Sequence, residues 1–196
     1  MNWLAHLRLA PEEPLVRIGN LAGDFVQGVD LTTLHPEVRR GIVQHRAIDR
    51  FVDAHEATLR ARSRMAAPFR RFAPVLIDVF FDHYLARDWE RLGGGDPLPD
   101  FAATVHGELR EHTQHLPPRL RDVVPWMESQ RWLTSYAETT GIDAILVRMS
   151  RRLSRPSPLA EGGTQLRERY DDLAADFATL WPELVTFARS LHERAP

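Results

Sequence analysis

The sequence contains no cysteine and no lysine. Without cysteine the chain has neither disulfides nor thiolate ligands, so a metal site must use histidine, carboxylate or backbone oxygen. No apolar run approaches the ~20 residues that a membrane span requires, so we expect no membrane partner. The first residues, MNWLAHLRLAPEEP, lack the basic start and long apolar stretch of a signal peptide. These absences favour a cytoplasmic protein.

The chain has 196 residues, enough for one domain with a sizeable core. Hydrophobic residues make up 43% and charged residues 27%, which is the balance of a folded protein and not of a disordered one. The net charge is only −2, but arginines cluster between Arg39 and Arg71, where acidic residues are few. A local patch of this sign attracts anionic partners. The alternative is that arginine simply serves this chain as its solubilising residue.

Apolar residues recur at three- and four-residue spacing and no stretch alternates with period two, which predicts an all-α fold. We expect one helical domain over residues 1–196 with short connections. The residues 154–163 are typical of a loop. Helices are predicted over residues 2–9, 15–29 with irregular backbone, 36–65, 74 to the glycines at 93–95, 100–115, 119–140, 141–153, 166–181 and 182–194.

One stretch, GIVQHRAIDRFVDAH, spaces His45, Asp49 and Asp53 four residues apart, so a helix places them on one narrow stripe. Partly buried carboxylates need a cation, and histidine with aspartate at this spacing suits a metal site. The alternative is a solvated face on which Asp49 and Asp53 pair with Arg46 and Arg50. The opposite side of the helix, which we expect to face the core, carries Val43, Ile48 and Phe51.

A second stretch, VLIDVFFDHYLARDW, is apolar around most of its circumference and should be a central helix. It nevertheless carries Asp82 and His83, a carboxylate and an imidazole that can lean toward one point. The alternative for Asp82 is a cap or an ion pair with an arginine such as Arg87.

Two further places have polar groups in unusual surroundings. In GNLAGDFVQG, Asn20 and Asp24 lie among glycines, which suits close approach to a metal or phosphate, although a turn explains these residues almost as well. In NWLAHLRLA, His6 lies inside an apolar segment, where a hydrogen-bonded core histidine is the commoner case.

The candidate ligands His45, Asp49, Asp82, His83 and Asp24 offer nitrogen and oxygen but no sulfur, which suits Mn²⁺, Mg²⁺ or Fe²⁺. A divalent cation of this kind activates bound water and neutralises charge on a phosphoryl group. With arginines nearby, phosphoester hydrolysis is the predicted chemistry. No GxSxG, Walker, dinucleotide-binding or HExxH motif offers another.

Four segments, MNWLAHLRLA, GNLAGDFVQG, GIVQHRAID and DVFFDHYLARDW, resemble in order and spacing the acyl carrier protein phosphodiesterase family. The resemblance extends to RWLTSY and to YDDLAADF and WPEL near the end of the chain. It implies an all-α fold related to the HD phosphohydrolases. It also implies Mn²⁺-dependent hydrolysis of the phosphodiester between 4′-phosphopantetheine and a serine of holo-acyl carrier protein.

The same resemblance implies specific roles for residues of this chain. The family's essential acid falls on Asp24, and its metal ligands fall on His45, Asp49, Asp82 and His83. His6 and Asn20 lie inside matching motifs and are candidates of second rank.

We expect Arg46 or Arg50 to stabilise the charge that develops on the phosphoryl group. Acyl carrier protein is acidic, so the surface between Arg39 and Arg71 is its expected docking patch, with no nucleic acid partner. One alternative is an HD-type phosphohydrolase that acts on a nucleotide or another small phosphoester. Another is a non-catalytic helical module that binds an acidic protein or nucleic acid.

Overall fold

The computed structural model describes residues 1–193, in which the ordered elements are α-helices and short 3-10 turns without any strand. The predicted all-α fold is therefore confirmed as a single helical domain. The boundary at residue 196 stays a prediction, because residues 194–196 lie outside the described range. The helices are α1 Trp3–Leu9, α2 Pro14–Ala22, α3 Pro36–Ala54, α4 Glu56–Ser63, α5 Ala73–Arg87, α6 Trp89–Leu92, α7 Leu98–Glu111, α8 Pro118–Ser129, α9 Trp132–Ser135, α10 Thr139–Ser150, α11 Gly163–Glu168 and α12 Tyr170–Glu193.

The long helix predicted over 36–65 is in fact two helices, α3 and α4, separated by His55. His55 has an extended backbone with ψ of 134°, and its side chain accepts a hydrogen bond from the backbone N–H of Ala57. A histidine is an unusual N-cap, so the break carries none of the usual sequence signals. The 3-10 turn Gly23–Phe25 accounts for the irregular backbone expected after α2.

Two other boundaries also differ from the prediction. The helix expected over 119–140 is broken at Arg131, whose φ of 51° is left-handed and ends the helical path between α8 and α9. Near the end of the chain the break lies at Arg169 instead of Pro182, and α12 continues through that proline. A proline inside a helix removes one backbone hydrogen bond, a cost that the buried apolar face of α12 offsets.

Two hydrophobic clusters form the core, and α1 and α3 contribute to both. The larger cluster surrounds α5, which is buried on nearly every side, as its apolar sequence predicts. The smaller cluster joins α2, α7 and α8. In α3, Ile42 belongs to the smaller cluster while Ile48 and Val52 belong to the larger one. The polar residues of α1 and α3 therefore lie along the seam between the clusters.

The orientation of α3 differs from the expected one. Val43, expected in the core, is 60% exposed, whereas Ile48 is buried as predicted. His45 is buried as well, whereas the side chain of Asp53 on the same stripe is 60% exposed, so the stripe runs from the protein interior to solvent. No helix in the described part of the chain is long and apolar enough to cross a membrane.

Candidate metal centre

The first component of the site is His6, fully buried on α1. Its Nε2 atom lies 3.0 Å from Oδ1 of Asp49 on α3. The position of α1 is fixed from outside, because Asp82 of α5 accepts hydrogen bonds from the backbone N–H groups of Leu4 (2.8 Å) and Asn2 (3.1 Å). These belong to the start of α1, where N–H groups have no partner within the helix. Asp82 thus anchors the helix that carries His6.

The second component is His45, whose ring is fixed on both sides. Its Nδ1 atom donates to the backbone carbonyl of Asn20 at 2.8 Å. Its Nε2 atom lies 3.0 Å from Oδ2 of Asp49 and 3.5 Å from Oδ1 of Asp24. A metal-binding histidine commonly donates its other ring nitrogen to a carbonyl, which fixes the tautomer and the ring orientation. The Asn20 carbonyl supplies that contact here.

The contact between Asn20 and His45 depends on a close crossing of α2 and α3. A Cβ atom added to Gly19 would lie 2.2 Å from the carbonyl oxygen of Val38, and one added to Gly41 would lie 2.1 Å from that of Val16. Only glycine at both positions lets the two backbones approach this closely. The glycines that flank the polar motifs therefore position the carbonyl that orients His45.

His6, His45 and Asp49 together form a group with the geometry of a metal site. Within residues 1–193, each of the three offers one ligand atom, and these atoms all lie within 4.8 Å of one another. The two imidazole rings stack with their centroids 3.9 Å apart. The Asp49 and Asp24 side chains remain 38% and 46% exposed, so a cation held here would keep an open side toward solvent.

The chemistry of these donors demands a cation between them. A neutral His45 whose proton lies on Nδ1 presents the lone pair of Nε2 to the Asp49 carboxylate, and two acceptors at 3.0 Å repel each other. Either a proton or a metal ion removes that repulsion. The three residues therefore fit a divalent cation bound through nitrogen and oxygen.

The pKa values of the three residues show the same requirement for a positive charge between them. Burial, together with the nearby charge of His45, lowers the pKa of His6 to about 4. Burial also acts to lower the pKa of His45, but hydrogen bonds and attraction from Asp24 and Asp49 outweigh it and raise that pKa to about 9. Burial acts to raise the pKa of Asp49, yet the two histidines hold it well below its ordinary value. His45 is thus the group at which proton and metal compete.

Asp24 lies at the edge of the same group. Its Oδ2 atom accepts a hydrogen bond of 2.9 Å from the indole N–H of Trp3. Burial acts to raise the pKa of Asp24, but the hydrogen bond and charge of His45 lower it below the ordinary value. Asp24 is therefore an ionised carboxylate that faces both His45 and the solvent.

A cavity of about 320 Å³ opens beside these carboxylates. Its lining includes aromatic and apolar residues and two arginines, Arg148 and Arg152. The sequence analysis did not single out these two residues. The only signal was the run RMSRRLSR, with four arginines in eight residues at the end of α10 and no acidic neighbour. The residues that line the cavity are Met1, Asn2, Trp3, Asp24, Phe25, Asp49, Val75, Asp78, Trp132, Tyr136, Ile145, Arg148, Met149 and Arg152.

Asp82 and His83 are not part of the metal-binding group. Asp82 is fully buried and caps α1, which agrees with the capping role considered as its alternative, with backbone N–H groups as partners instead of Arg87. Burial raises its pKa to about 7, and the neighbouring N-terminal ammonium and backbone N–H groups oppose that shift. His83 Nδ1 lies 2.8 Å from the carbonyl of Tyr136, and its Nε2 lies 2.9 Å from the hydroxyl of Tyr170. Both ring nitrogens are thus engaged away from Asp49.

The contacts of four other residues also differ from those expected. The Asn20 side chain donates to Gln44, so this residue serves the site through its backbone carbonyl and not as a ligand. Arg46 and Arg50 are exposed on α3 and are not among the residues that line the cavity. The pairing of Asp53 also differs, because its partner is Arg62.

Known proteins are similar to this chain over nearly its whole length. A family model described as acyl carrier protein phosphodiesterase matches residues 1–184. The chain is 34% identical to the acyl carrier protein phosphodiesterase of Yersinia pestis, over 96% of this chain and 98% of the relative. It is also 34% identical to a protein of that name from Salmonella dublin, over 96% and 97% of the two chains, and 31% identical to one from Photorhabdus laumondii, over 97% and 96%.

No solved structure matches the chain significantly. The predicted relation of the fold to HD phosphohydrolases therefore stays a prediction.

Proposed function

This chain belongs to the acyl carrier protein phosphodiesterase family, and on that premise we propose that it is a hydrolase of holo-acyl carrier protein. The bond cleaved is the phosphodiester between 4′-phosphopantetheine and the carrier serine. The products are apo-acyl carrier protein and free 4′-phosphopantetheine. The observation that carries the proposal is the convergence of His6, His45 and Asp49 beside an open cavity.

In this proposal His6, His45 and Asp49 hold a divalent cation, with Asp24 next to them. When bound, the cation activates water and neutralises charge on the phosphoryl group. The donor set of two nitrogens and carboxylate oxygen suits Mn²⁺, with Mg²⁺ or Fe²⁺ as alternatives. Compared with the ligands expected from the sequence, this set contains His6 in place of Asp82 and His83. Asp82 and His83 have structural roles instead.

Asp24 is placed to orient the attacking water. Its carboxylate is ionised, half-exposed and 3.5 Å from His45 Nε2, so one oxygen can accept a hydrogen bond from water in the cavity. Trp3 donates to the other oxygen and keeps the carboxylate from rotating away. In the reaction the water oxygen forms the new bond to phosphorus and the bond from phosphorus to the serine oxygen breaks. The proton that the attacking water gives up is balanced by the proton that the serine oxygen takes up.

The carrier protein is proposed to dock on exposed arginines of the segment between Arg39 and Arg71. Arg46 and Arg50 lie on the exposed face of α3 without an ion pair to any residue within 1–193. Four other arginines of the segment are already paired, and we exclude them from the docking patch. These are Arg40 with Glu13, Arg60 with Asp176, Arg62 with Asp53, and Arg64 with Asp172 and Asp176.

The decisive experiment is intact-mass spectrometry of holo-acyl carrier protein after incubation with the purified protein and Mn²⁺. We expect loss of the phosphopantetheine mass, and no loss when a chelator is present. A carrier that keeps its mass with metal present would refute the proposal. A panel of nucleotides assayed in parallel tests the alternative HD-type phosphohydrolase.

A matched pair of variants on α3 tests the site itself. Asp49→Asn should lower turnover by more than about 100-fold, since even residues that only orient a ligand are worth ~10–100-fold. Asp53→Asn makes the same change one helical turn away, where the side chain is 60% exposed and paired with Arg62. It should leave turnover within about twofold, because a surface ion pair contributes little. Equal losses in both variants would contradict the assignment of Asp49.

A further inference from the structure

Two arginines on one wall of the cavity have no role in the metal-binding group. Arg148 lies in the last turn of α10 and Arg152 follows it by one turn, and both line the cavity that Asp24 and Asp49 also line. Neither guanidinium has an ion-pair partner among the described residues, in contrast to Arg17, which is paired with Glu108. Two free guanidinium groups beside a site rich in carboxylates form an anion-binding wall.

An aromatic platform holds this wall in place. The guanidinium carbon of Arg148 lies 5.0 Å from the centre of the Trp132 ring, and that of Arg152 lies 6.0 Å from it. Trp132 in turn stacks on Trp3 with 5.3 Å between centroids and an interplanar angle of 20°. Trp3 is the residue that donates to Asp24. One continuous set of contacts therefore connects the two arginines to the edge of the metal-binding group.

The surroundings of the wall favour an anionic ligand. The neighbouring lining residues Ile145 and Met149 come from the same helix and are apolar, so they offer no competing hydrogen bonds. Arg148 is half-buried, and a guanidinium removed from water without an anionic partner is costly. Guanidinium groups match the paired oxygens of a phosphate and stack on aromatic rings, which is the arrangement seen at Trp132.

We propose that Arg148 and Arg152 bind the non-bridging phosphoryl oxygens of the substrate, and that Trp132 orients their guanidinium groups. This inference rests on the proposed function, because it assigns the phosphate-binding residues of the same site. It moves that role from Arg46 and Arg50, which lie outside the cavity, to the end of α10. The apolar wall beside the arginines then faces the organic part of the phosphoester.

Direct binding of inorganic phosphate tests the proposal without turnover. The protein, saturated with Mg²⁺, is titrated with inorganic phosphate while intrinsic tryptophan fluorescence is recorded, because Trp3 and Trp132 line the cavity. Arg148→Gln and Arg152→Gln should each raise the dissociation constant by about tenfold, the usual effect of losing one charge-assisted hydrogen bond. Arg148→Lys, which keeps the charge but loses the planar fork, should fall between the wild type and Arg148→Gln.

The chain offers matched controls in Arg151→Gln and Arg155→Gln. Both residues belong to the same arginine-rich run, are exposed, and do not line the cavity. They remove the same charge from the same surface, so a general electrostatic effect would weaken phosphate binding equally in all four variants. We expect less than about a twofold change in the controls, as is usual for exposed charges. Thermal melting curves check that each variant is folded, and Arg152, which is exposed, serves as the test if Arg148→Gln is unstable.

The outcomes separate this inference from the proposed function. Failure of the wild type to bind phosphate, or equal weakening in controls and test variants, would overturn the role of Arg148 and Arg152. If the wild type cleaves holo-acyl carrier protein and Arg148→Gln and Arg152→Gln do so with unchanged kcat and KM, the inference is wrong and the proposed function stands. If phosphate binding follows the expected pattern but the carrier keeps its prosthetic group, the anion-binding wall stands and the proposed substrate is wrong.

Discussion

The imidazole of His6 stacks on that of His45 with 3.9 Å between centroids, and both rings present Nε2 to the carboxylate of Asp49 at 3.0 Å. The two histidines come from different helices, α1 and α3, which meet at the seam between the two hydrophobic clusters. Two stacked imidazoles cannot both be charged cheaply. The single carboxylate of Asp49 therefore favours one positive charge between the two rings, either a proton or a metal ion.

The first prediction concerns protons released when a metal binds. In the metal-free protein at pH 7.5, His45 is protonated because its pKa is about 9, and His6 is neutral because its pKa is about 4. A ligand must be deprotonated, so metal binding should displace about one proton, from His45. Calorimetry in two buffers with different ionisation enthalpies measures this number.

The same pKa values fix the sign of the pH dependence. Between pH 5 and pH 9 the apparent metal affinity should rise by about tenfold per pH unit, and it should level off above pH 9 once His45 is neutral without metal. A metal affinity that stays constant between pH 6 and pH 8 would contradict the placement of His45 in the metal site. The Asp53→Asn variant should show the wild-type slope.

The second prediction separates Asp82 from the metal-binding residues. Leu4 and Asn2 donate to different oxygens of Asp82, so Asp82→Asn places an N–H₂ group against the backbone N–H of one of the two. Leaving a buried donor unpaired should lower the free energy of unfolding by about 1–3 kcal/mol. Denaturant unfolding measures this loss, and equilibrium dialysis should still find wild-type metal stoichiometry in the folded protein. Loss of the metal without loss of stability would instead make Asp82 a ligand.

Periodicity within single helices predicted much of the fold and part of the site. The spacing of His45 and Asp49 placed both on one stripe, and the structure buries His45 while Asp49 stays partly open to solvent. Asp24 and the second-rank candidate His6 lie beside them. These residues are close in space because α1, the turn after α2, and α3 converge. The sequence motifs indicated that convergence only when they were taken together.

The remaining differences arise from contacts between helices that no single motif encodes. Asp82 and His83 resemble metal ligands because they are polar residues on an apolar helix. In the structure, however, the carboxylate of Asp82 accepts hydrogen bonds from the start of α1. The two ring nitrogens of His83 contact the backbone carbonyl of Tyr136 and the hydroxyl of Tyr170, which are distant in sequence. Arg148 and Arg152 reach the cavity from the last turn of α10 and the turn after it, about a hundred residues after Asp49. Val43 is exposed because the close approach of α2 at Gly41 fixes the rotation of α3 about its axis.

The third prediction tests that helix crossing. In Gly41→Ala the new Cβ would meet the carbonyl oxygen of Val16 at 2.1 Å, so α2 and α3 must separate. We expect a loss of about 1–3 kcal/mol in the free energy of unfolding, the usual cost of overpacking. Weaker metal binding should accompany it, because the carbonyl of Asn20 moves away from His45.

Gly107→Ala is the matched control for this substitution. Gly107 lies inside α7, and a Cβ added there would meet no atom within 4 Å apart from its chain neighbours and the backbone of its own helix. Alanine should therefore stabilise the protein by about 0.5–1 kcal/mol through its helix propensity. If Gly41→Ala behaved like Gly107→Ala in thermal melts and metal titrations, the crossing would not control the orientation of His45.

The fourth prediction concerns the docking of the carrier protein. Attraction between exposed charges weakens as salt shortens the screening length, which is about 10 Å at 0.1 M and ~3 Å at 1 M. If the acidic carrier docks on the exposed arginines of α3, its KM should rise several-fold between about 50 and 300 mM salt while kcat changes little.

The double variant Arg46→Gln, Arg50→Gln should have a higher KM at low salt and a flatter salt dependence. Arg91→Gln, which removes a charge that is 72% exposed on α6, should keep the wild-type dependence. Two results would show that the α3 arginines do not form the docking patch, independently of the metal site. One is a wild-type KM that does not change with salt. The other is an effect of Arg91→Gln equal to that of the double variant.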